Sequence, residues 1–208
     1  MMLEDYCVID LEMTGLNPKH HKILEVAAVR VRKKEIISEC SMLIHQHQPL
    51  EEKITELTGI DQEMLAGAKD EVLDCFFGFL GEDILVGQNV IFDYSFLKQA
   101  AINRKQPFER KAADTLKIAR RCLPALEKRT LDALCGYYGI ELGHHHRALD
   151  DAKATYLLYE RLEEEFGTVQ ADVFEPKPLL YKAKRQTPAT ARQKKHLKEL
   201  ADYHKINL

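Results

Sequence analysis

Asp10 and Glu12 stand two residues apart at the end of an otherwise apolar run. In a strand, that spacing sends both side chains to one face. Asp93 lies where a short apolar segment gives way to a helix, and a second helix opens on His144-His145-His146-Arg147-Ala148-Leu149-Asp150-Asp151. Scattered carboxylates at strand ends and helix starts suit hard divalent cations, because magnesium and manganese prefer oxygen ligands. Two such ions a few ångströms apart can activate a water, neutralise a phosphate and stabilise a leaving oxygen, which is what phosphodiester hydrolysis requires. A histidine five residues before Asp151 can reach it only from the loop ahead of the helix, since i and i+5 on a helix diverge by about 140°. Each element also has an ordinary alternative. Asp-x-Glu can be a solvated strand end, Asp93 a helix N-cap, the histidines a solvated loop, and Asp150 and Asp151 complements to a helix dipole.

The elements that must hold these residues can be read from periodicity. Residues 6–11, 23–31 and 35–44 have the β-branched, apolar character of strands, with a charged turn at 32–34, and predict an N-terminal meander. Helical spacing starts near Leu50 and recurs at 69–80, where Val72, Leu73, Phe76, Phe77 and Leu80 form a stripe. A short strand at 84–87 follows, then a helix at 94–103, an isolated Asp114-Thr115-Leu116, and a helix at 116–122 ended by Pro124. Thr130 caps a helix over 131–138 that Gly139 stops. The last long helix buries Ala148, Ala152, Thr155, Tyr159, Leu162 and Phe166. This alternation predicts an α/β fold.

Composition bounds the class. The 208 residues are 45% hydrophobic and 30% charged, as expected of a globular chain with one substantial core. The acidic, strand-like N-terminus does not read as a signal peptide and no apolar run is long enough for a membrane helix, so a cytoplasmic protein is expected. Cys7, Cys40, Cys75, Cys122 and Cys135 are widely spaced among apolar neighbours and read as reduced core residues. The net charge of −3 divides unevenly, with nine basic and two acidic residues over 176–208 and an excess of ten negative charges before them. The expected organisation is a catalytic domain over 1–170, a proline-containing linker over 171–189 and a basic C-terminal helix over 190–208. That helix could track phosphates or rest as a solvated appendage.

The order Asp-x-Glu-x-Thr-Gly, Asn-x-x-Phe-Asp and His-x-Ala-x-x-Asp resembles the DEDD exonuclease superfamily in its histidine subclass, DEDDh, which includes polymerase proofreading exonucleases and oligoribonuclease. The likeness covers about residues 6–166 and includes the segments at 54–60, 85–97 and 114–116. It implies a ribonuclease H-like mixed five-stranded sheet flanked by helices. It also implies two Mg²⁺ or Mn²⁺ ions on Asp10, Glu12, Asp93 and Asp151, with Asp10 bridging them, and His146 as general base. Thr14, Gly15, Leu16, Asn89 and Phe92 match positions that line the terminal nucleotide, and Asp114 matches a structural acid. The tyrosine subclass would carry a tyrosine where Arg147 stands. The activity implied is 3′ to 5′ hydrolysis of single-stranded DNA ends to 5′-mononucleotides, with a polymerase as a further partner. Met13 replaces a threonine of the proofreading type, which keeps open an oligoribonuclease acting on short RNA. A module that mainly docks on a polymerase is the reading from another class.

Overall fold

The computed structural model describes residues 3–68, 72–143, 147–185 and 189–204. Strands β1 (Tyr6–Met13), β2 (Ile23–Arg32) and β3 (Glu35–Leu43) form the expected antiparallel meander. Lys33 and Lys34 close its second hairpin with φ of 51° and 65°. A two-residue hairpin of this hand needs positive φ at both positions, normally supplied by Asn or Gly. Here the turn is held from outside: Asp5 accepts from the Lys33 amide at 3.1 Å, and the Lys34 ammonium pairs with Glu160 and Glu163.

Helices α1 (Glu52–Thr58), α2 (Gln62–Ala66) and α3 (Val72–Leu80) follow, then β4 (Leu85–Gly87) and α4 (Ile91–Asn103). The helical spacing that begins near Leu50 is split into α1 and α2 because Gly59 ends α1 in the left-handed region. β5 (Lys111–Asp114), α5 (Thr115–Cys122), α6 (Leu131–Tyr138) and α7 (Ala148–Phe166) come next. Gly139 stops α6 as expected, at φ 66°. α8 (Ala171–Phe174), β6 (Lys177–Pro178) and α9 (Ala191–His204) complete the chain.

The sheet order is β3-β2-β1-β4-β5-β6, with β1, β4 and β5 parallel and β6 antiparallel to β5. The fifth strand is supplied by β5, which leads into Asp114-Thr115-Leu116. A sixth, two-residue strand lies at the edge, within the stretch expected to be linker, where its proline leaves no central ladder bond unmade. The expected helix start at Thr187-Pro188 and the side chain of Lys205 lie outside the described residues. Cys75 is exposed rather than in the core, while Cys7, Cys122 and Cys135 are buried.

The parity of β1 decides what goes where. Cys7, Ile9 and Leu11 face one core with Phe76, Leu80, Tyr94 and Leu97 of α3 and α4. Tyr6 and Val8 face the other with Ile118, Leu134, Leu158, Tyr159 and Leu162 of α5, α6 and α7. Asp10 and Glu12 share the parity of Tyr6 and Val8, so they end that second face at the carboxyl edge of the parallel strands. Brought across this face by its apolar stripe, α7 presents its first turn to them.

Candidate active site

Asp151, buried in the first turn of α7, completes a trio with Asp10 and Glu12: one carboxylate oxygen of each lies within 4.8 Å of the others. Asp93 is buried in the first turn of α4 and flanks this trio without belonging to it. Because α4 begins at Ile91 with Val90 as its N-cap, Asp93 does not cap the helix. The backbone amides of Asp93 itself and of Leu11, between Asp10 and Glu12, instead favour its charged form.

Burial, then the charges of Asp93, Asp151, Glu12 and Glu25, hold the Asp10 carboxyl well above its usual range. Glu12 is pushed up to about 8, first by burial and then by Asp151, Glu25 and Asp93, against the opposing pull of Arg147. Asp93 is raised to about 7 by burial, in spite of its two amide donors. Carboxyls kept this close out of water are stabilised by a cation or a proton. The donor set is oxygen alone, so it fits hard divalent ions and offers no thiolate.

Glu25 does not stand out from sequence spacing. It lies opposite Glu12 in the β1–β2 pairing and is only 1% exposed. Its carboxylate accepts from Ser41 Oγ at 2.9 Å, from Arg147 Nε at 3.1 Å and Nη2 at 3.2 Å, and from the Ala148 amide at 3.3 Å. This network anchors the N-terminus of α7 to the sheet beside Glu12. The only local sign is an acid inside the apolar run of 23–31. His146 lies outside the described residues; Arg147, its neighbour in the chain, is the N-cap residue of α7.

The residues matched to nucleotide contacts frame the same edge. Thr14 is pinned in the β1–β2 turn, its amide donating to Lys22 O and its hydroxyl accepting from the Lys22 amide, each at 2.9 Å. Gly15 has φ 156°, and a Cβ there would come within 2.4 Å of the His21 ring, so glycine is required at this position. Leu16 is 80% exposed, a large apolar side chain turned to solvent. Asn89 takes φ 57° and donates its amide to Asp114 Oδ1 at 3.1 Å, which gives Asp114 a structural task. The half-buried Phe92 ring packs edge-on against Phe96 at 5.5 Å.

Known proteins are similar to this chain in sequence and in fold. The RNase T family model, described as exonuclease, matches residues 7–159. DNA polymerase III PolC-type of Clostridium perfringens is 39% identical over 154 residues, covering 73% of this chain and 11% of the relative. The corresponding protein of Bacillus subtilis is 39% identical over 166 residues, covering 77% and 12%. The chain thus spans about a tenth of the length of the curated relatives it matches. Exonuclease X, solved with 5′ overhanging duplex DNA, superposes with a TM-score of 0.63 at 25% identity, over 82% of this chain and 99% of that one. Exonuclease I of E. coli, solved with a dT13 oligonucleotide, has a TM-score of 0.74 at 16% identity over 83% and 44%, a likeness of fold. With the family model spanning β1 to β5 almost entirely, the carboxylate trio and most of α7, the chain belongs to the RNase T exonuclease family.

Proposed function

We propose that the chain removes 5′-mononucleotides from the 3′ end of single-stranded DNA, with two Mg²⁺ or Mn²⁺ ions on Asp10, Glu12, Asp93 and Asp151. The observation that carries this reading is the carboxylate trio at the strand edge, whose oxygens lie within 4.8 Å of one another. Such a cluster opposes its own ionisation unless cations neutralise it. When bound, the ions would supply charge neutralisation at the phosphate and an acidified water.

The chain's own residues do the rest. Asp10, acted on by three other site acids, is suited to a shared position between the ions. Leu16 and Phe92 offer apolar surface to a base and sugar, and Asn89 is held in a fixed backbone conformation by Asp114. His146 takes a proton from the attacking water, a role for a side chain that titrates near neutrality. The domain expected over 1–170 carries all of these, and the segment 171–189, which packs against it through Phe174 and Leu179, leads to a basic helix over 190–208. A polymerase as partner and a cytoplasmic location agree with relatives that are DNA polymerase III chains. Among the described residues no helix is long and apolar enough to cross a membrane.

Deoxyribose strands are preferred because those relatives are DNA polymerases. Met13 favours a second reading, an oligoribonuclease. Hydrolysis of 3′-terminal 2′-deoxy and 2′-hydroxy single strands, with and without EDTA, tests both. Metal-dependent release of mononucleotides from DNA is expected, faster than from RNA of the same length. Faster RNA cleavage would select the second reading, and turnover undiminished by EDTA would reject both.

A further inference from the structure

An acidic body must still attract a polyanion, and one run of cations lies next to the candidate site in the chain's fold. Residues 117–129 carry Lys117, Arg120, Arg121, Lys128 and Arg129 against a single acid, Glu127. α5 turns Ile118, Ala119 and Cys122 into the core, so Lys117, Arg120 and Arg121 share its solvent face. Lys117 Nζ stands 3.8 Å from Asp114 Oδ2, whereas Arg120, Arg121 and Lys128 form no ion pair among the described residues.

This basic rim is fastened to the candidate site. Gln88 Nε2 donates to Arg129 O at 2.8 Å, and Gln88 Oε1 accepts from Thr115 Oγ1 at 2.5 Å. The Arg129 guanidinium folds the turn on itself, donating to Leu123 O and Pro124 O, both at 2.7 Å. The result is a cleft of about 470 Å³ whose walls include Asn89, Leu116, Arg120, Glu127 and Thr130. Its lining reaches Asn89, on the same strand edge as the carboxylates. The cations of α9 have no comparable attachment: that helix is exposed along nearly its whole length.

We propose that the rim formed by Lys117, Arg120, Arg121 and Lys128 holds the phosphates of the substrate strand on the 5′ side of the terminal nucleotide. The proposal rests on the exonuclease reading above and adds the path of the strand to it. A strand whose end lies among four acids is repelled by them, and fixed cations at the mouth offset that repulsion for substrates long enough to reach it. Interactions with phosphates alone carry no base preference.

The test compares the ratio of kcat/KM for dodecathymidylate to that for thymidine 5′-(p-nitrophenyl phosphate) over a range of salt. In the triple variant R120A/R121A/K128A this ratio is expected to fall about tenfold. Its log-log salt slope is expected to become shallower by about 2, because each phosphate of a single strand that is no longer neutralised removes roughly 0.7. The triple variant K194A/K195A/K198A on α9 is expected to keep both. An unchanged ratio and slope in the rim variant, or a loss confined to the α9 variant, overturns the proposal. If the wild type cleaves neither substrate, the exonuclease reading fails by itself. Fluorescence anisotropy of labelled dodecathymidylate then decides about the rim: weaker binding by the rim variant supports it, and equal or absent binding rejects it.

Discussion

At Asp10, burial and four neighbouring acids act in one direction, so folding without metal favours the protonated form of this carboxyl. An amide escapes that cost but cannot serve as an anionic ligand. Asp10→Asn is therefore expected to abolish metal-dependent hydrolysis while raising the melting temperature in EDTA, by about 2–4 °C for each ~1 kcal/mol relieved. A variant that keeps most of its rate, or that melts below the wild type in EDTA, contradicts this. The pH dependence of stability has the same origin. Glu12, at about 8 against 4.5, and Asp93, at about 7 against 3.8, bind more protons folded than unfolded. Stability of the metal-free protein should then decline as pH rises from about 5 to 8, and saturating Mg²⁺ or Mn²⁺ should remove the decline. Thermal melts across that range in EDTA check it, and a flat profile would count against the coupling. Asp10 and Glu12 are legible in the sequence because strand parity is local, and Asp151 because it sits in a helix's first turn. Glu25 is not, since its place opposite Glu12 exists only once β1 and β2 pair.

Elements are legible wherever a single period runs uninterrupted, as in β2, α6 and α7. They escape periodicity where tertiary contacts decide. α4 starts three residues earlier than its apolar pattern implies, its first turn closed by backbone bonds from Phe92 to Asn89 and from Tyr94 to Val90. β5 has only Ala112 and Ala113 in its apolar part and forms through its pairing with β4. The N-terminus of α7 likewise depends on a distant partner. Removing the Arg147 side chain leaves Glu25 buried beside Glu12 with only a hydroxyl and an amide to meet its charge. Arg147→Ala is expected to destabilise the fold by about 3 kcal/mol and to lower kcat more than KM changes. Glu25→Gln, which keeps one acceptor oxygen and removes a negative charge from Glu12's surroundings, should cost less stability. Denaturant melts with steady-state rates test the order, and the reverse order would mean that the ion pair does not anchor α7.

For the molecule as a whole, composition separates an acidic body from a basic tail near residue 175, but the packed body ends later. Leu179 is buried in the core under α3 and α4, and its amide donates to Arg110 O at 2.9 Å. Gln99 of α4 donates to Lys184 O at 2.8 Å, and β6 adds to the sheet edge. Charge cannot reveal this, because the segment is held by Leu179, Tyr181 and backbone groups, none of which alters the charge balance. Ending the chain after residue 175 removes the leucine and the edge strand together, and should cost about 2–5 kcal/mol, the usual range for emptying a buried leucine site. Ending it after residue 189 removes only α9, whose Leu197, Leu200 and Tyr203 are largely exposed and whose Ala201 alone is buried. That shorter truncation should leave the denaturation midpoint nearly unchanged and, with the rim of α5 intact, should leave oligonucleotide hydrolysis nearly unchanged as well. Equal stability of the two truncated chains in urea would show that 176–185 contributes nothing to the core. A marked drop in oligonucleotide turnover on ending at 189 would instead assign the strand to α9, because the two truncations differ in the core but not in the carboxylates or the rim.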